Sequence, residues 1–157
     1  MILAWWAETL QRPELHWPVP AVARDVYDPQ WPGTGNWPFN TALAGAQPSL
    51  SAIVTRLSEI DELETLLRAK IPVAASVSFK LLHGVETGDL GEGHIVVVTG
   101  ISNSGDVFIN DPGVRLDRVQ QTIPRKTFDR AWQHSRRTVY LVWPRSWRLP
   151  TNSFEHW

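Results

Sequence analysis

The chain has 157 residues, a net charge of −1 and no cysteine. Its length fits one domain able to bury a sizeable core without staples, and its charge exerts no global pull on nucleic acid or anionic lipid. The lack of cysteine excludes, within these residues, a disulfide framework, a thiolate-held zinc site and a thiol nucleophile.

Taken in chain order, residues 2–11 place Ile2, Leu3, Trp6 and Leu10 along one helical face, and Pro13 ends that helix. Residues 16–33 are punctuated by proline and hold at most one short helix near Ala21–Arg24. "GTGNWPFNTALAGA" is a glycine turn feeding a helix, with Asn36 or Trp37 ahead of Pro38 at the start, where a missing N–H costs nothing. Residues 50–57 form a strand favoured by Ile53 and Val54. Residues 58–70 form the clearest helix. Ser58 and Asp61 approximate a capping box, acids lie at its start and Arg68 and Lys70 at its end, and Ile60, Leu63, Leu66 and Leu67 make its core stripe. "IPVAASVSF" follows as a strand, with Ser76 and Ser78 on its polar face. Residues 81–93 are a glycine-rich loop, expected either to border a cleft and move or to be a plain solvent loop.

Strands at 94–101 and 106–110 are joined by the turn "SNSGD". Residues 124–135 form a helix with Phe128 and Trp132 on one face, 137–143 a last strand, and the tail from Pro144 is irregular. The helices come first and most strands come late and close together, which predicts an α+β fold with a mainly antiparallel sheet. No run approaches the roughly 20 apolar residues of a membrane span. The opening residues lack the basic leader and cleavage site of a signal peptide. Residues 105–157 carry 9 Lys/Arg against 5 Asp/Glu, a surplus read as solvated surface because no nucleic-acid-binding module accompanies it.

"GEGHIVVVTGISNSGDVFINDPG" holds the chemistry. In an antiparallel hairpin, residues equidistant from the turn face each other at about 4.5–5.5 Å between Cβ atoms. The turn centres near Asn103, which sets His94 roughly opposite Asp111. A carboxylate that accepts the imidazole Nδ1–H fixes the tautomer and stabilises the imidazolium, leaving the other ring nitrogen as a base. On spacing alone the residues favour a pair that satisfies itself, or caps the buried hairpin, and does no chemistry, because buried polar groups need partners and Asn-Asp-Pro-Gly is an ordinary turn string. There is no G-x-S-x-G elbow and no G-K-[ST] phosphate loop. His16, His83, His94 and His134 have no metal-ligand spacing, so no metal and no cofactor is expected.

The strings "GTGNWPFNTALAG", "VTRLSEIDELETLLRAKIPVAASVSF", "GEGHIVVVTGISNSGDVFINDPG", "FDRAW" and "VYLVWP" resemble the bacterial C39-like peptidases. These are papain-like cysteine hydrolases related to the bacteriocin-processing peptidase. The resemblance runs from about residue 2 to residue 144. It implies a papain-like α+β fold, with a helix bearing the nucleophilic cysteine packed on an antiparallel sheet that bears histidine and aspartate. His94 matches the catalytic histidine that opens a central strand, and Asp111 the aspartate of "NDP". The expected reaction is hydrolysis of a peptide or amide substrate, with His94 as general base and Asp111 orienting it. Asn36, Trp37 and Gly93 are expected to line the substrate cleft, although Trp37 fits a core position equally well.

One departure is plain. "MILAWWAETL" resembles the later turns of the family's cysteine helix. The resemblance therefore implies that the cysteine lies about 11 Å, two helical turns, before Met1, with the oxyanion-hole glutamine earlier still. Two expectations follow. One is an active hydrolase in a longer protein, of which residues 1–157 are a single domain exposing Ile2, Leu3, Trp5 and Trp6. The other is an inactive peptide- or protein-binding domain of the same fold.

Overall fold

Short apolar runs set between glycine and proline turns give strands, and amphipathic stretches give helices. The computed structural model describes residues 1–30, 33–85, 93–151 and 157. Its elements are α1 (Ile2–Thr9), α2 (Val19–Asp25), α3 (Trp37–Gly45), β1 (Leu50–Arg56), α4 (Ile60–Arg68), β2 (Val73–Ser78), α5 (Phe79–Leu82), β3 (Gly93–Ile101), β4 (Val107–Asn110), β5 (Gln120–Ile123), α6 (Arg125–Gln133) and β6 (Thr138–Pro144). The strand order is β1-β6-β2-β3-β4-β5. The pairs β2–β3, β2–β6, β3–β4 and β4–β5 are antiparallel, so the class is α+β as the sequence predicts. The chain divides into two compact units. One comprises Met1–Val54 with Val142–Arg148, the other Thr55–Leu141 with Leu149–Trp157.

The first unit is built around Trp6. Its side chain is fully buried with Ala7, Leu15, Leu50 and Val142, and its indole N–H donates to the Val142 carbonyl at 2.9 Å. Trp147 meets it edge-on at 5.2 Å. The expected exposed start of α1 is therefore corrected. Trp6 is buried and Ile2 and Leu3 are half-buried against this cluster, while Trp5 stays 45% exposed. α3 begins at Trp37 with Pro38 at its second position. Gly45 lets α3 approach β1, because a Cβ there would lie 3.0 Å from that of Ala52.

In the second unit, β2 lies between β3 and β6 and all six of its residues are buried. Ser76 and Ser78 are thus not a solvent-facing polar stripe, because a central strand covered on both faces has none. Two of their oxygens accept hydrogen bonds. The Ser78 hydroxyl accepts the Leu81 N–H at 3.3 Å, and the Ser76 carbonyl accepts the Ser135 hydroxyl. α6 packs on β2 with Phe128 and Trp132 fully buried. α4 contributes Leu63 and Leu66 to the core, with Ile60 and Leu67 half-buried. Its expected capping box is shifted by one residue: the Glu62 carboxylate, not Asp61, accepts the Ser58 N–H at 2.6 Å.

Two boundaries also differ from the sequence reading. The strand stops at Ser78, and Phe79–Leu82 coil into α5, so the expected loop at 81–93 begins with a helical turn. The part of that loop at 86–92 lies outside the described residues. β5, an edge strand beside β4, was not anticipated.

Candidate active site

The β2–β3 register sets Val77 against His94 and Ser78 against Gly93. β2 therefore delivers the chain beside His94 just as it turns into α5. Ser78 caps that turn, Phe79 opens it, and His83 closes it. Phe79 and His83 are four residues apart, on one face of a helical turn. Gly84 follows with φ +85°, a left-handed conformation that suits glycine and lets the chain leave. From the other side, β4 ends at Asn110 and hands the chain to Asp111-Pro112-Gly113.

These segments converge on one carboxylate. Asp111 is fully buried. His94 Nε2 lies 2.6 Å from its Oδ1, and the Gly113 N–H donates to the same oxygen at 2.8 Å. His83 Nε2 lies 3.3 Å from Oδ2. The imidazoles are partly open, with 18% of the His94 side chain and 28% of the His83 side chain accessible. Phe79 touches both rings. It meets His94 edge to face at 5.1 Å and His83 at a tilt at 4.4 Å. With the carboxylate as acceptor, Nε2 of His94 carries the proton and Nδ1 is bare. Among the described residues Nδ1 has no hydrogen-bond partner.

The pairing of His94 with Asp111 follows the sequence expectation, but two of its details do not. The expected donor was Nδ1; the structure uses Nε2. Asp111 is also not opposite His94. A register irregularity between Val98 and Gly100 sets Val97 against Asn110. Continued, that register puts Asp111 level with Val96 and Gly113 level with His94, so the carboxylate reaches His94 diagonally on the same face. Gly113 makes this approach sterically feasible, since a Cβ there would lie 2.7 Å from His94 Cε1.

The remaining expected residues are placed as follows. Gly93 is exposed and precedes His94, and a Cβ on it would make only an ordinary contact, 3.5 Å from the Ser76 hydroxyl. Asn36 and Trp37 belong to the first unit. The Asn36 amide donates to Asp28 at 2.6 Å, and Trp37 is half-buried. His83 was considered from sequence only as a metal ligand. The serine cap and the Phe79-x-x-x-His83 spacing are the signals that would have marked it. Among the described residues, no three His, Asp or Glu side chains are grouped to hold a metal ion. A shallow polar groove of the same unit, lined in part by Leu67, Arg68, Ile101 and Arg125, lies at the far end of β3 from His94. No helix of the described residues is long and apolar enough to cross a membrane.

Comparison with known proteins agrees with this fold. The family model described as the peptidase C39-like family matches residues 1–140. No curated protein matches the chain. A crystal structure from Bacillus anthracis, assigned to a C39-like peptidase, is similar with a TM-score of 0.53 and 21% identity, over 69% of this chain and 59% of that one. At that identity the likeness is one of fold, and the chain spans less than two thirds of that protein's length.

Proposed function

The chain belongs to the peptidase C39-like family, and from that membership we propose that it carries the histidine–aspartate part of a cysteine-type peptide or amide hydrolase. The observation that carries this reading is the 2.6 Å bond from His94 to the buried carboxylate of Asp111. The bond leaves Nδ1 bare on an imidazole whose side chain is partly open to solvent.

In the proposed reaction Nδ1 takes the proton of a thiol, and the thiolate attacks the substrate carbonyl carbon. The imidazolium then returns the proton to the leaving amine. Attack by water, again deprotonated at Nδ1, releases the acyl group and restores the thiol. Asp111 holds the ring with Nδ1 outward and stabilises its positive charge. Gly93, next to His94 on β3, is proposed to border the substrate. The thiol is not among these 157 residues, which contain no cysteine.

The test uses the protein isolated from its own cells. Its intact mass is measured before and after iodoacetamide, and its hydrolysis of peptide amides is followed. The expected outcome is a mass above 17.8 kDa, one alkylated thiol, and turnover lost on alkylation. His94→Ala should then lower kcat by about 10²–10⁴. A mass equal to this chain, with no adduct and no turnover, would overturn the reading. A second reading is an inactive peptide- or protein-binding domain of the same fold. That reading requires peptide binding without cleavage.

A further inference from the structure

We propose that His83 is a positioning residue for His94, acting through Asp111. The inference rests on the reading of His94 as the base. The two oxygens of Asp111 are unequally served. Oδ1 accepts from both His94 and Gly113, at 2.6 and 2.8 Å. Oδ2 is buried with the rest of the side chain, and among the described residues its partner is His83 at 3.3 Å. A buried carboxylate oxygen with no donor drives the group to rotate or to take up a proton. Either change would withdraw the acceptor that keeps the proton of His94 on Nε2.

His83 prevents this by donating from its own Nε2. Its bond is longer and weaker than that of His94, so it steadies the carboxylate without drawing it away. Phe79 fixes the spacing, because its ring lies against both imidazoles and its backbone belongs to the turn that His83 closes. The arrangement is a clamp in which two histidines hold opposite oxygens of one aspartate. His94 faces the chemistry through Nδ1, whereas the His83 ring meets Asp111 and Phe79.

Ring nitrogen protonation reads this directly. Long-range proton–nitrogen correlation spectra of the 157-residue chain distinguish protonated from bare imidazole nitrogens. In the wild type, His83 and His94 should both be protonated at Nε2 and bare at Nδ1 while neutral. His83→Leu should lose this pattern at His94, giving mixed tautomers. His83→Gln, whose amide supplies a donor near the same place, should retain it. The proposal is overturned if wild-type His83 is bare at Nε2, if His94 keeps its pattern in His83→Leu, or if His83→Gln loses it while folded. The wild-type spectrum decides the matter even if His83→Leu does not fold. The measurement reads proton positions and not turnover, so the clamp and the hydrolase reading fail separately.

Discussion

Gly113 shows how one hydrogen atom in place of a methyl group shapes the site. Its φ does not require glycine, but its proximity to His94 does: a Cβ would sit 2.7 Å from Cε1 and 3.1 Å from Nε2. Overlap of that size forces either the ring or the turn to move. Gly113→Ala should destabilise the chain by about 1–3 kcal/mol, the usual range for overpacking. It should also break the His94–Asp111 bond. Denaturant unfolding reads the first effect, and loss of the protonated Nε2 signal of His94 reads the second. An unshifted midpoint with an unchanged histidine spectrum would show that the turn yields without cost. Among the residues of the site, His94 and Asp111 were legible in the sequence because hairpin spacing brings them close. The nitrogen used and the diagonal reach were not. They depend on the irregularity between Val98 and Gly100, which shifts the register by one residue and leaves no mark in the spacing.

The elements differ in how openly the sequence declares them. α4 and α6 carry apolar residues at helical spacing, and both appear where that spacing predicts. In α6, Trp132 is fully buried and its indole N–H reaches the Thr138 carbonyl at 3.2 Å. Trp132→Ala should cost about 3–5 kcal/mol, checked by the shift in denaturation midpoint. The turn after α6 holds Arg136 and Arg137 at φ +55° and +52°. Arg137 is tied to Asp129 and to the Ser58 carbonyl, whereas Arg136 is exposed. Arg136→Gly should therefore stabilise the chain by up to about 1 kcal/mol, by relieving left-handed strain. A lower melting temperature for that variant would count against the strain. β5 and α5 escaped the sequence reading for opposite reasons. β5 is short, polar in Gln120, Gln121 and Thr122, and buries only Ile123. α5 continues an apolar strand pattern through Phe79, and only the Ser78 cap marks the break.

At the scale of the whole molecule, alkaline stability carries a signature of Tyr140. Burial raises its phenol above the ordinary value of 10.0. The folded chain therefore holds this proton more tightly than the unfolded chain. The resulting stability is complete below pH 10 and is lost as the pH rises from there through the higher folded value. Between about pH 9 and about pH 11 the wild type should lose more unfolding free energy than Tyr140→Phe, by denaturant titration. Equal losses would contradict the sign. The α+β class was legible from the order of helices and strands, because antiparallel neighbours need only short connections. The division into two compact units was not, since β6 belongs to both and no linker marks the boundary. Finally, the groups that meet at Asp111 all come from one uninterrupted stretch of chain. His83 and His94 precede Asp111 by 28 and 17 residues. At usual rates of translation such a stretch leaves the ribosome in about 1.5–6 s, and closing loops of this length adds little entropic cost. The imidazole and carboxylate groups can therefore meet on the nascent chain before α6 and the last strand have emerged from the ribosome.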